Sequence, residues 1–214
     1  MLFRSPLDHR APVALGDLYF RVYGEVERYP SGAGEYQRVL RPDQGDPGYV
    51  PALLGLFRIY RFNLFRDPAR TEGFLTRGLE RDPGNPEALA LLAAWRIEDR
   101  RYAEARAALE KALQRNPNHL PALAELHALE SLTGREAEAE AARRKALAVH
   151  PGHPGPDTAL GLHLMRHYRF PEAEAPLRRG LQLEDGRAHV CNPVKAIDIL
   201  SRLPLEKRNN HTYH

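Results

Sequence analysis

What most constrains the fold of this 214-residue chain is a period of 34 residues. Asp82-Pro83, Asn116-Pro117, His150-Pro151 and Glu184-Asp185 recur at that interval. So do Ala105, Ala139 and Ala173, and so do Ala112, Ala146 and Gly180. A fixed period of this size marks one supersecondary unit used several times, and no single copy can bury its apolar face without a neighbour. The stretch from Asn85 to His119, NPEALALLAAWRIEDRRYAEARAALEKALQRNPNH, shows the unit. It holds two segments of helical apolar spacing joined by a short polar turn and closed by Asn-Pro. The chain is therefore expected to be all-α, a stack of antiparallel helix hairpins.

Three clear hairpins keep this phase, over 86–119, 120–153 and 154–187. The first pairs Pro86–Asp99 with Tyr102–Arg115. The second pairs Leu120–Leu132 with Glu136–Val149 across Thr133-Gly134. The third pairs Pro156–Tyr168 with Pro171–Glu184. A divergent hairpin occupies 51–85: an aromatic and basic helix over 51–66, then Asp67-Pro68, then Ala69–Arg81. Asp67 suits the cap and Pro68 the first helical position. Residues 1–50 read as an N-terminal helical extension or a degenerate repeat. A helix is expected from Pro12 to Tyr29, stopped by Pro30, followed by a turn at SGAG and a short helix over Glu35–Arg41. Residues 188–214 differ in composition and contain the only cysteine, Cys191. Asn192-Pro193 can start a helix with Val194, Ile197, Leu200 and Leu203 on one face, as an end cap would require. Whether this tail is such a cap, or lies outside the natural protein, is left open by the residues; its last stretch, EKRNNHTYH, is expected to be disordered.

Charge excludes little and favours little. The net charge is +3, and the tail alone carries a surplus of two positive charges, so the basic balance is poor support for nucleic-acid binding. Only Lys111, Lys145, Lys195 and Lys207 of the 31 basic residues are lysine, a composition expected of a bacterial, GC-rich source. A single cysteine rules out an internal disulfide. The N-terminal residues lack a signal-peptide core, and no stretch has the roughly 18 apolar residues of a membrane span. A cytoplasmic protein that does not enter a membrane is the expectation.

With the residues laid out in register, the repeats resemble the tetratricopeptide repeat. The first clear copy shows Leu89, Leu92, Ala93, Ala105, Leu109, Ala112 and Pro117. The second shows Leu123, Leu126, Ala139, Ala146 and Pro151, and the third Leu160, Gly161, Ala173, Leu177 and Gly180. The resemblance implies a right-handed solenoid in which Ala105, Ala139 and Ala173, with Ala112, Ala146 and Gly180, permit close approach of neighbouring helices. Several positions depart from the pattern. Arg96, Glu130 and Leu164 stand where an aromatic is usual, Arg143 where Leu109 and Leu177 stand, His127 at a usually small position, and Asp157 in place of a large apolar residue. These departures predict looser second and third interfaces.

The resemblance also implies a function: binding a protein or peptide segment on the concave face of the first helices, as a scaffold or adaptor. That face is expected to comprise Glu87, Ala90, Leu91, Ala94, Ile97, Glu98, Ala124, Glu125, Ala128, Thr158, Leu162, Met165 and Arg166. It lacks the Lys and Asn pairs with which family members clamp a C-terminal carboxylate. Mostly small and apolar, it suits an apolar segment laid in a groove, with specificity from the rim charges. The chain's own N-terminal helix or tail could equally cover it.

Two other functions compete. Arg58, Arg61, Arg66 and Arg70 interleave with Phe57, Tyr60, Phe62 and Phe65, a pattern that can hold phosphates and stack bases. Solvated arginines with the aromatics in the core is the commoner outcome, and nucleic acid is the lesser expectation. Self-association into a homo-oligomer through exposed repeat edges is the third possibility. His163 and His167 share a helix face, with His150 and His153 before them, yet no carboxylate or cysteine completes a metal set. No phosphate loop, nucleophile elbow or paired cysteine is present. No catalytic residue, metal or cofactor is expected, and an enzyme is not.

Overall fold

The computed structural model describes residues 9–18, 29–43, 45–61 and 67–183. The expected capping helix and tail, with Cys191, lie outside the described residues, as do Phe62, Phe65 and Arg66. Among the described residues there are ten α-helices and no strand. They fall into two compact units, the first ending at Pro83 and the second beginning at Gly84.

The first unit contains α1 (Arg10–Leu18), α2 (Tyr29–Val39), α3 (Val50–Arg61) and α4 (Pro68–Arg81). Here the sequence reading needs correction. Pro30 does not stop a helix and SGAG is not a turn, because both lie inside α2. Pro30 sits in the first helical turn, where a missing N–H breaks no intrahelical bond. The poor helix formers that follow are outweighed by packing: Ala33, Tyr36 and Val39, spaced three apart, are all buried. Tyr36 is the centre of this unit. Its ring lies against Gly16 of α1 and Gly55 of α3, where an added Cβ would come within 2.8 Å and 2.3 Å of it respectively. Its hydroxyl donates to Asp17 Oδ1 at 2.7 Å. The Asp67-Pro68 reading holds: the Asp67 side chain caps α4 by accepting from the Arg70 N–H at 3.0 Å.

The second unit contains α5 (Pro86–Glu98), α6 (Tyr102–Arg115), α7 (Leu120–Leu132), α8 (Glu136–Val149), α9 (Gly155–Arg166) and α10 (Phe170–Leu183). These bounds follow the expected hairpins to within two residues. Each hairpin packs on itself, and the first helices α5, α7 and α9 lie in sequence beside one another. The small residues sit in the seams, with Ala105, Ala112, Ala139, Ala146 and Ala173 at most 1% exposed. Gly180 faces Thr158, whose hydroxyl oxygen would lie 2.7 Å from an added Cβ. Overpacking such a seam is costly. Ala112→Leu is expected to lower stability by about 1–3 kcal/mol, read as an earlier midpoint in urea at unchanged slope.

Candidate partner-binding face

The face is set first by the hairpin turns. Arg100, Gly134 and Tyr168, one period apart, all adopt left-handed backbone, with φ of 59°, 74° and 61°. The next residue in each case sends its N–H back to the first helix: Arg101 to Arg96 O, Arg135 to Glu130 O and Arg169 to Leu164 O. This is the six-to-one closure that ends a helix through a left-handed residue. Those same three arginines then pair with Glu104, Glu138 and Glu172 three residues on. The motif Arg-x-x-Glu-Ala at 101, 135 and 169 was legible in the sequence, at the same period, and was missed. Its repetition gives three hairpins one turn geometry and so brings their first helices onto one side.

Within that side, the expected contact residues divide into two groups. Ala90, Ala94, Ile97, Ala124, Ala128 and Thr158 are buried, none more than 5% exposed. This corrects the expectation that they form open surface. Small side chains let α5, α7 and α9 approach until the seams close over them. Leu91, Leu162 and Met165 stay half-buried, and Leu162 and Met165, with Leu132 and Ala159, flank the core formed by Ala128, Leu160, Leu164, Ala173 and Leu177.

The rim charges are engaged within the chain. Glu87 meets His119 Nε2 at 3.2 Å, Glu125 meets His163 Nε2 at 2.7 Å, and Glu98 meets Arg166 at 3.2 Å. His167 Nε2 donates to Ile97 O at 3.1 Å. The last two contacts join the C-terminal ends of α5 and α9, reaching past α7. The face is thus narrowed at that end, a consequence of hairpin curvature that local spacing does not encode.

The departures from the repeat pattern answer one another. Asp157, fully buried on α9, accepts from Arg143 of α8 through one oxygen at 2.9 and 3.1 Å, and from Arg179 of α10 through the other at 2.8 Å. The Asp157 carboxylate raises the pKa of Arg143. One period earlier, the same two positions hold Leu109 and Leu123, both buried. An apolar pair has been exchanged for an ion pair. Glu130 likewise accepts both guanidinium arms of Arg106, at 2.7 and 3.1 Å. His127, at the small position, is buried and reaches the Ala139 carbonyl at 2.9 Å. The expectation of looser interfaces counted these residues singly and missed their pairing.

The arginine–aromatic stretch offers little to a base. Phe57 is fully buried. Tyr60 stacks on Phe74 with ring centroids 5.5 Å apart, and the Arg70 guanidinium lies 4.6 Å from its ring. Arg58 and Arg61 lie half-buried on α3. Among the described residues no group of three or more His, Cys, Asp and Glu is placed to hold a metal, and the rings of His163 and His167 bond to Glu125 and to Ile97 O instead. No helix among them is long and apolar enough to cross a membrane.

With this architecture established, comparison with known proteins identifies its class. Residues 65–130 match the family model of the tetratricopeptide repeat. That match spans under a third of the chain, and the described residues have an all-helical repeat fold like that of solved tetratricopeptide-repeat proteins. Its fold is similar to that of PilW, described as a widely conserved type IV pilus biogenesis factor, at 18% identity and a TM-score of 0.61 over 84% of this chain and 79% of that one. It is similar to PilF of Pseudomonas aeruginosa at 17% identity and a TM-score of 0.59, covering 89% and 84%. A thermophilic tetratricopeptide protein of Thermus thermophilus, TTC0263, matches at 19% identity and a TM-score of 0.56, covering 91% and 100%. A bacterial source is consistent with these neighbours. No curated protein matches the chain. Folds of this kind commonly mediate protein–protein interaction and are generally non-catalytic scaffolds.

Proposed function

We propose that the protein is a cytoplasmic, non-enzymatic adaptor that docks an apolar segment of a partner protein along the first helices of its second unit. One observation carries this reading. Leu91 on α5 and Leu162 and Met165 on α9 are large apolar side chains left partly exposed on a side whose small residues are otherwise buried. Burying them against a partner gives affinity by removing apolar area from water. The rim carboxylates, engaged as Glu87–His119, Glu125–His163 and Glu98–Arg166, contribute position and selectivity, because a partner that parts them leaves a carboxylate without its donor.

The double substitution Leu91→Glu with Leu162→Glu is expected to abolish capture of the partner from native lysate, with the helical circular dichroism signal retained. Capture at natural strength by a folded double variant would defeat the reading. Nuclease treatment and a salt series in the same experiment separate protein from nucleic acid, whose binding falls steeply as salt rises.

A further inference from the structure

Two histidines of the second unit, His119 and His127, belong to α7. His119 caps α7: its Nδ1 accepts from the Ala122 N–H at 3.3 Å. A ring nitrogen that accepts has no proton, so the proton is on Nε2, which faces Glu87 of α5 at 3.2 Å. His127 lies in the middle of the same helix. Its Nδ1–H donates to the Ala139 carbonyl of α8, which leaves Nε2 bare, buried and without a hydrogen-bond partner. A proton on His127 Nε2 would place a charged N–H in the interior with nothing to receive it.

We infer that α7 is a proton-sensitive latch at the centre of the second unit, held in place only while His127 is neutral. The charged groups around His127 do not remove the penalty. Asp157 of α9 attracts a proton there, but both of its oxygens are committed to Arg143 and Arg179. Arg143 of α8 repels the proton, and Glu140 of the same helix is exposed. On the α6 side, Glu130 is occupied by Arg106. Burial accordingly lowers the His127 pKa from its ordinary 6.5, and burial with the neighbouring His163 lowers that of His167. The sign follows. Groups whose pKa is lower in the folded chain than in the opened one bind protons on opening, so stability is full above about pH 6.5 and falls as the pH drops below it. Because α7 also carries Glu125 and Ala128, its release would reshape the docking face, and that regulatory consequence rests on the docking reading.

The test is amide hydrogen exchange of the full chain at pH 7.5 and 5.5, corrected for intrinsic rates, with α3 of the first unit as internal control. One imidazole that titrates at its ordinary value only in the opened state should raise α7 opening about tenfold over this range. The first of two substitutions borrows the residue found one period earlier, where Ala93 stands for His127. His127→Ala should reduce the rise to less than about threefold. His127→Gln keeps a side-chain N–H donor for the Ala139 carbonyl without a titratable ring and should reduce the rise as well, which guards against a folding defect in the first variant. A tenfold rise that persists in both variants, or no rise in the natural chain, overturns the inference. The measurement needs no partner, so its outcome is independent of the effect of Leu91→Glu on docking.

Discussion

Asp157→Ala is expected to destabilise the second unit by about 3–5 kcal/mol, the cost of leaving buried charges without their counter-ion. The carboxylate is the shared partner of Arg143 and Arg179, and its side chain is 1% exposed while Arg143 is 23% exposed. Arg179, at 48%, can return to water more readily than the less exposed Arg143. Asp157 also lies in the first turn of α9, where a negative charge favours the helix. Trp95 is the only tryptophan, is buried in α5, and so reports the unfolding of this unit by fluorescence. The informative control is the double variant Arg143→Leu with Asp157→Leu, which installs the apolar pair found one period earlier as Leu109 and Leu123. Replacing a buried ion pair by packed apolar groups is often neutral or stabilising, so the double variant should recover most of the loss. Equal losses in single and double variants would mean that Asp157 acts through something other than this pair.

The same pair shows what the residues reveal before folding and what they do not. The hairpins of the second unit were legible because three signals coincide at one period: helical apolar spacing, small residues at fixed offsets, and a turn closing each second helix, with Pro117 and Pro151 in the first two. Arg143 and Asp157 were each legible as departures, but their compensation appears only when α8 and α9 are set side by side. The helix through SGAG was illegible for a different reason. Local propensity argues against it, and the burial of Ala33, Tyr36 and Val39 that overrides propensity belongs to tertiary packing. The docking face failed in the opposite direction. Its residues lie on α5, α7 and α9, yet the approach of α9 to α5, seen in Arg166–Glu98 and His167–Ile97, turns Ile97 from surface into interior. Leu91 and Leu162 therefore carry more of the proposed contact than the small residues between them.

In the first unit, Tyr36→Ala is expected to cost about 3–5 kcal/mol, as for other large buried aromatics cut back to alanine. The ring fills the space left by two glycines on two different helices, so its removal opens a cavity where α1, α2 and α3 meet. Rigid helices cannot collapse into such a gap without shifting all three backbones, and the cost should fall near the upper end of the range. Tyr36→Phe separates packing from polarity. It removes only the hydrogen bond to Asp17, whose partly exposed carboxylate can bond water instead, and should cost about 0.5–1.5 kcal/mol. Gly55→Ala provides the reciprocal test. Its Cβ would fall 2.3 Å from the Tyr36 ring, too close for the ring to stay where it is. Gly55→Ala alone should therefore destabilise, while the same change added to Tyr36→Ala should cost less or even stabilise, since the methyl group then enters empty space. Hydrogen exchange of α3 resolves this unit from the one that Trp95 reports. If the two substitutions instead add without coupling, the ring and the glycine are not in contact, and the packing centre of the first unit lies elsewhere.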